Sequence, residues 1–291
     1  MTTNEILKNV RKIEIKTRGV VNQIFSGEYH SVFKGRGMDF SEVREYQYGD
    51  DIRTIDWNVS ARYNRPYIKI YEEERELTVM LIVDFSRSGN FGTVEKFKNE
   101  IATELCAVLA FSAMKNNDKV GMIAFTDHVE KFIPPKKGHS HVLRIIREVL
   151  AFEPTGKGTN IAGALEYLTH AIKKRSIAFV ISDFFDDGYE KPLRIASRKH
   201  DVIALQLSDP KEQQMPKMGL VKFRDAETGD ARWLDTNSAT VREMFAQYFQ
   251  QLREKQKQLF VKTRVDAVPV RIDQSYITPL VNFFRMREGR R

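Results

Sequence analysis

Short apolar runs alternate with longer helical patterns in this 291-residue chain, and the alternation constrains its fold more than any other feature. Runs with few polar residues are typical of parallel strands whose two faces are both covered by helices. The runs lie at residues 77–83, 120–125, 129–133, 176–182, 202–207 and 264–268. The pattern predicts a doubly wound, mostly parallel α/β sheet with helices on both faces, in which the third run is a short edge strand.

Helical periodicity occupies the intervals between these runs. In residues 95–115, Ile101, Leu105 and Leu109 recur on one stripe, as in a helix that buries one face. Further helices are predicted at residues 141–150, 161–174, 239–259 and 276–286. Two β-rich segments around a Gly-containing loop predict a hairpin insertion at about 219–235.

The chain before the first run has a different character. Residues 1–76 contain a helical opening at 4–16, several glycines with aromatic residues between them, and a strand at 67–71. We therefore expect a small, turn-rich N-terminal subdomain ahead of a domain that spans 77–291. Its arginines and aspartates favour a network of Arg–carboxylate pairs over the alternative of a partner-binding surface. They are Arg36, Arg44, Arg53 and Arg62 among Asp39, Asp50, Asp51 and Asp56.

Composition argues against several classes of protein. No run approaches the roughly 18 apolar residues of a membrane-spanning helix, and the polar N-terminus lacks the apolar segment of a secretory signal. The single cysteine, Cys106, lies in an apolar helical pattern, which predicts a buried thiol in a reducing compartment, the cytoplasm. Net charge is +8, but only residues 285–291 form a basic cluster and no nucleic-acid-binding motif occurs, so nucleic-acid binding is the least favoured function.

Oxygen-bearing side chains follow the first apolar run. Asp84, Ser86 and Ser88 stand at alternate positions of a loop that leaves the predicted strand at 77–83. Carboxylates and hydroxyls are hard ligands that suit Mg²⁺ or Mn²⁺. The same residue types are also common in a plain strand-to-helix turn, which is the alternative interpretation.

Two further segments carry similar chemistry. Thr159 precedes the predicted helix at 161–174, and Asp183 follows the apolar run at 176–182. In a doubly wound sheet with strand order 3-2-1-4-5-6, strands one and four are neighbours at the point where ligands bind. Asp84 and Asp183 are therefore expected to end adjacent strands, with the loop of Thr159 beside them.

Together these motifs resemble the metal-ion-dependent adhesion site of von Willebrand factor A domains. The resemblance covers about residues 77–210 and implies a divalent cation, Mg²⁺ first and Mn²⁺ or Ca²⁺ as alternatives. It implies that serine and threonine hydroxyls bind the metal, that the aspartates bind directly or through water, and that a partner's Glu or Asp fills an open position. The residues concerned are Asp84, Ser86, Ser88, Thr159 and Asp183.

The chain departs from that pattern at two positions. Phe184 replaces the glycine that usually follows the last aspartate, and Arg87 places a cation within the first loop. We expect Phe184 to alter the backbone beside the aspartate and Arg87 to weaken the metal or to contact an acidic partner. The nearby Asp186 and Asp187 are expected to solvate the loop rather than to bind metal.

The N-terminal segment is similar to the bacterial domain-of-unknown-function family 58, whose members place it ahead of a von Willebrand-like domain. The similarity lies in residues 35–40, 44–46, 49–57 and 60–62. Genes of this family commonly neighbour those of MoxR-type AAA ATPases, so the resemblance implies such an ATPase or its client as partner.

These observations predict a non-enzymatic, metal-dependent adaptor that binds proteins. The alternative is a metal-dependent phosphoryl-transfer or hydrolytic enzyme that uses Asp84 or Asp183. Residues 156–158 are the only candidate phosphate cradle, and they lack the spacing of a P-loop. None of the six histidines lies in a recognisable catalytic or metal-ligand motif.

Overall fold

The computed structural model describes residues 9–15, 17, 39–72, 76–90, 97–212, 215–224 and 231–289. Among these, residues 39–72, 76 and 77 form one compact unit, and the others form a larger one. Residues 9–15 are helical, which agrees with the predicted opening helix, whose first residues lie outside the described part. The predicted domain boundary between residues 76 and 77 stays a prediction.

The smaller unit is built on an antiparallel pair of strands, β1 (Asp39–Glu45) and β2 (Tyr67–Glu72), with a short helix α1 (Trp57–Tyr63). Arg44 donates two hydrogen bonds to Asp50, at 2.9 and 2.7 Å, which confirms one predicted Arg–carboxylate pair. Asp56 instead accepts from backbone N–H groups at the start of α1. Arg36 lies outside the described residues.

The larger unit contains a six-stranded sheet and a separate hairpin. The sheet consists of β3 (Thr78–Asp84), β4 (Lys119–Phe125), β5 (Val129–Lys136), β6 (Ile177–Ser182), β7 (Asp201–Ser208) and β10 (Asp266–Arg271). Its order is β5-β4-β3-β6-β7-β10, and every pair is parallel except β4–β5. The order confirms the predicted 3-2-1-4-5-6 arrangement with the third run at the edge, and the structure adds that this edge strand is antiparallel. The predicted hairpin is formed by β8 (Leu220–Arg224) and β9 (Ala231–Asp235).

Helices cover both faces of this sheet. They are α2 (Lys98–Lys115), α3 (His139–Leu150), α4 (Ile161–Ala171), α5 (Glu190–Lys199), α6 (Ala239–Thr263) and α7 (Ile277–Gly289). Met80 and Ile82 of β3 pack with residues of α4, α5 and α6 in one hydrophobic core. The alternate residues Val79 and Leu81 are also fully buried and face the opposite side, where α2 and α3 lie.

Several predictions of local structure were wrong. The helix α5 (Glu190–Lys199) was not predicted, and the helix predicted at 161–174 ends at Ala171. The last strand begins at Asp266 rather than at Arg264, and α6 continues to Thr263. Arg264 has a left-handed backbone with φ of 56°, and its N–H donates to Phe260 and Val261, so it ends the helix. The strand can begin only after this cap. Cys106 is buried as predicted, and within the described part of the chain no helix is long and apolar enough to cross a bilayer.

Arg287 of α7 ties together the starts of two neighbouring strands. Its guanidinium donates to Asp201, which opens β7, at 2.7 and 2.9 Å, and to Asp266, which opens β10, at 2.7 Å. We predict that Arg287→Gln lowers the free energy of unfolding by about 2–3 kcal/mol, because two carboxylates lose a shared charged partner. Urea denaturation measures this. The exposed Arg198→Gln is the control, and equal stability of both variants would contradict the prediction.

Candidate metal centre

Asp84 and Ser182 form the centre of the site, where β3 and β6 end side by side. The hydroxyl of Ser182 donates to Asp84 Oδ2 at 2.6 Å, and the backbone N–H of Ser86 donates to Asp84 Oδ1 at 2.8 Å. All three residues are buried. Parallel pairing of Val83 with Ile181 sets this register, so the sheet itself places the two strand ends together. The sequence pattern placed Ser182 only at the end of the apolar run at 176–182, so this contact was not predicted.

The two serines of the first loop also come together. Their Oγ atoms lie 2.9 Å apart because residues Arg87–Asn90 form a 3₁₀ turn directly after Ser86. A Cβ at position 89 would lie 2.1 Å from Asn99 Oδ1, so a residue larger than Gly89 would have to displace that side chain. Three of the five predicted ligands therefore lie together. Ser86 donates its backbone N–H to Asp84, and its hydroxyl forms a hydrogen bond with the hydroxyl of Ser88.

The loop that carries Thr159 lies against the serine loop. The backbone N–H of Arg87 donates to the carbonyl of Lys157 at 3.3 Å, and Asn160 N–H donates to the carbonyl of Thr126 at 2.8 Å. Thr159, between these two contacts, is half-buried. The side chain of Arg87 is exposed at the surface. The arrangement brings the Thr159 loop to the same edge of the sheet as the first loop.

Glu130 of β5 holds the Thr159 loop in place. Its carboxylate accepts from Thr126 Oγ1 at 2.7 Å, from Thr155 N–H at 2.9 Å and from Gly156 N–H at 3.0 Å. Although burial would raise the pKa of Glu130, these donors lower it to about 2. A Cβ at position 156 would lie 2.2 Å from Thr126 Oγ1, so a residue larger than Gly156 would have to displace the Thr126 side chain that Glu130 binds. Nothing in the sequence singled out Glu130, because its backbone donors at Thr155 and Gly156 lie 25 and 26 residues away along the chain.

Asp183 is held by a residue that sequence analysis did not consider. Its Oδ1 accepts from Phe185 N–H at 3.1 Å, and its Oδ2 accepts from the ammonium of Lys98 at 2.9 Å. Lys98, the first residue of α2, is 1% exposed and also donates to Glu212. A signal was present in the sequence, because Lys98 lies three residues before Ile101 on the apolar stripe of the helix.

The two aspartates differ in their electrostatic environment. Burial, and then the nearby charge of Asp183, raise the pKa of Asp84 to about 7. Burial would lower the pKa of Lys98, but Asp183 and Glu212 raise it. Asp183 thus has an internal cation, whereas no lysine or arginine among the described residues pairs with Asp84.

This donor set fits a hard divalent cation. Two buried carboxylates lie close enough to repel each other, and two hydroxyls stand beside the carboxylate that lacks a counter-ion. No group of three or more His, Cys, Asp and Glu side chains in the described ranges is arranged to hold a metal. A metal bound here would therefore depend on the serine and threonine hydroxyls.

Phe184 adopts a backbone conformation that glycine accepts more easily than other residues. Its φ is 60°, in the left-handed region that bulky residues rarely occupy. Its ring is 1% exposed and meets the ring of Phe260 edge-on, with centroids 5.1 Å apart. Asp186 does more than solvate this loop, because it accepts from Ile161 N–H at 2.8 Å at the start of α4, whereas Asp187 is exposed.

Comparisons with known proteins agree with this architecture. Residues 42–256 match the family model described as protein of unknown function DUF58. The uncharacterized protein Rv1480 of Mycobacterium tuberculosis (strain ATCC 25618 / H37Rv) is 27% identical over 281 residues, which cover 96% of this chain and 88% of that protein.

Solved structures show similarity in the fold. An aerotolerance-related membrane protein from Bacteroides fragilis NCTC 9343, with multiple mutations to serines, is 19% identical with a TM-score of 0.51, over 74% of this chain and all of that one. The SpRpn10 VWA domain is 11% identical with a TM-score of 0.41, over 72% of this chain and 95% of that one. The predicted fold class, a doubly wound, mostly parallel α/β sheet with helices on both faces, is confirmed.

The Glu130 contacts predict a pH-dependent contribution to stability. We expect Glu130→Gln to lower the free energy of unfolding by about 1–3 kcal/mol at pH 7, since charged hydrogen bonds are lost. The depressed pKa means that this stabilisation is complete above the ordinary glutamate pKa and is lost as pH falls from about 4.5 to about 2. Urea denaturation at several pH values should show the variants converging in acid. A constant difference would contradict the assignment, and the exposed Glu153→Gln is the control.

The backbone of Phe184 predicts an unusual order of stability. Phe184→Ala and Phe184→Gly both remove the buried ring, at a cost of about 3–5 kcal/mol. Glycine accepts positive φ without strain, so we expect the glycine variant to be the more stable of the two by about 1 kcal/mol. The control is Phe260 in the interior of α6, where alanine should be favoured over glycine. The measurement is denaturant unfolding. If the alanine variant is more stable than the glycine variant at both positions, the backbone at Phe184 is not strained.

Proposed function

This chain belongs to the DUF58 family, and we propose that it is a non-enzymatic adaptor that binds an acidic protein partner through a divalent cation. One observation carries the proposal. At the shared end of β3 and β6, the buried Asp84 has no cationic partner among the described residues and lies beside the hydroxyls of Ser86 and Ser88. A cation is the group that this charge and these ligands suit best.

In this proposal the hydroxyls of Ser86, Ser88 and Thr159 bind the metal, and Asp84 and Asp183 supply charge directly or through water. Mg²⁺ is the first choice because every donor is a hard oxygen, with Mn²⁺ or Ca²⁺ as alternatives. Three of these five donors are neutral. A divalent cation among them keeps enough positive charge to attract a carboxylate from another protein.

An enzyme that uses either aspartate as nucleophile has less support. Asp84 is 7% exposed and Asp183 is 4% exposed, and both accept hydrogen bonds at both carboxylate oxygens. A nucleophilic carboxylate needs a free oxygen directed at substrate and a nearby acid or base. The relative reported above, Rv1480, is an uncharacterized protein and so indicates no activity.

The partner that we propose is a MoxR-type AAA ATPase, or a client of such an ATPase. The proposal rests on the similarity of the N-terminal segment to a family whose genes commonly neighbour those of MoxR-type ATPases. The acidic residue that completes the metal site would lie on this partner.

Binding of the purified chain to the MoxR-type ATPase encoded beside it tests the proposal. We predict that EDTA and Asp84→Asn each weaken binding at least about tenfold, which corresponds to about 1.4 kcal/mol, because the bridge between metal and partner carboxylate is lost. Isothermal titration calorimetry with and without Mg²⁺ measures both effects. Asp187→Asn, which removes an exposed carboxylate from the same end of the sheet, is the matched control. Binding that persists undiminished in EDTA and in Asp84→Asn would remove the metal from the mechanism.

A further inference from the structure

Lys98 is a buried ammonium group that the proposed adaptor mechanism does not use. It begins α2, is 1% exposed, and donates to Asp183 Oδ2 at 2.9 Å. It also donates to Glu212, and its Nζ lies 5.6 Å from the centre of the Phe185 ring. The ammonium is thus fixed on one oxygen of a carboxylate that the metal centre is expected to use.

The surroundings of Lys98 are themselves ordered. Glu212 accepts from Asp209 N–H at 3.1 Å through its other oxygen, which anchors it in the turn at Pro210–Glu212. On the other side, the guanidinium of Arg253 lies 5.1 Å from the Phe185 ring centre. Burial lowers the pKa of Arg253, and the charges of Glu212 and Asp183 oppose that effect. Two carboxylates and two cations therefore form one cluster behind the metal centre.

A buried ammonium is not needed to fill this space. Removing two charges from water is costly, and a buried ion pair often stabilises a protein no more than apolar residues of similar size do. What Lys98 provides that an apolar side chain cannot is a positive charge next to Asp183. Any cation bound with the help of Asp183 lies close to that charge and is repelled by it, and the repulsion is strong because the site is buried.

We propose that Lys98 sets the cation affinity of the centre by acting as an internal competitor of the divalent metal. Glu212 opposes this effect, because it shares the ammonium and offsets part of its charge. The centre then holds a divalent cation weakly until a partner's carboxylate adds negative charge, so that metal and partner bind together. This inference rests on the metal site of the proposed function and names the residue that regulates it.

We predict that substitutions of Lys98 and Glu212 change the Mn²⁺ affinity in opposite directions. Lys98→Met removes the competing charge and should tighten Mn²⁺ binding about tenfold or more, whereas Glu212→Gln leaves the ammonium less compensated and should weaken it about tenfold. Mn²⁺ is the probe, and its affinity is measured by electron paramagnetic resonance of free Mn²⁺ and by calorimetry on the full chain. A purely structural role of the cluster would weaken binding in both variants. Lys262→Met, which removes a lysine paired with Glu190 on the surface, should bind Mn²⁺ as the unmodified chain does.

The outcomes separate this inference from the proposed function. If the unmodified chain and Lys98→Met bind Mn²⁺ equally, the competitor role is wrong and the metal site stands. If only Lys98→Met binds, Lys98 blocks the centre, which supports the inference and contradicts a metal-bound adaptor. If neither binds, both are wrong. Should Lys98→Met fail to fold, Glu212→Gln decides alone, since unchanged or tighter Mn²⁺ binding in that variant overturns the inference.

Discussion

The hydrogen bond from Ser182 to Asp84 joins the ends of two strands, and the rest of the candidate site depends on it. It exists because β3 and β6 are adjacent in the sheet although 98 residues separate the two side chains. From this point the chain leaves β3 through the serine turn and leaves β6 through Asp183. A site assembled at this edge needs only short loops, because the sheet has already set the distances.

Burial brings two carboxylates close together, and among the described residues only one of them pairs with a cation. Asp84 and Asp183 are both buried and close enough for one to raise the pKa of the other. Lys98 neutralises Asp183 from within the protein, and Glu212 and Arg253 balance the charges behind it. Among the described residues, Asp84 accepts from Ser182 and Ser86 but pairs with no lysine or arginine. The imbalance, rather than the presence of aspartates as such, is the physical reason to expect an external cation.

Local patterns were sufficient to predict the fold class and the meeting of Asp84 with Asp183 at one edge of the sheet. The apolar runs predicted the strand order, and the position of Asp84 and Asp183 after two of those runs predicted that they would meet. Lys98 and Glu130 were not predicted, since their roles come from partners far away in sequence, such as Asp183 and Thr155. A lysine at a helix start and a glutamate in an edge strand are ordinary surface residues until tertiary packing buries them or surrounds them with donors.

The two aspartates also differ in what fixes them, and this bears on how the centre can respond to a ligand. Asp84 is held by the strand ends and the adjoining turn, whereas the segment of Asp183 is held by elements that come from elsewhere in the chain. Gln256 of α6 donates to the carbonyl of Phe184 at 2.7 Å, and Lys98 of α2 holds the carboxylate itself. We therefore expect a small movement of either helix to act more directly on Asp183 than on Asp84. Lys98 donates to both Asp183 and Glu212, so a change in the charge around Asp183 also alters the contact that Lys98 makes with the turn at Glu212. We therefore expect energetic coupling between the centre and its surroundings to pass through Asp183 and Lys98.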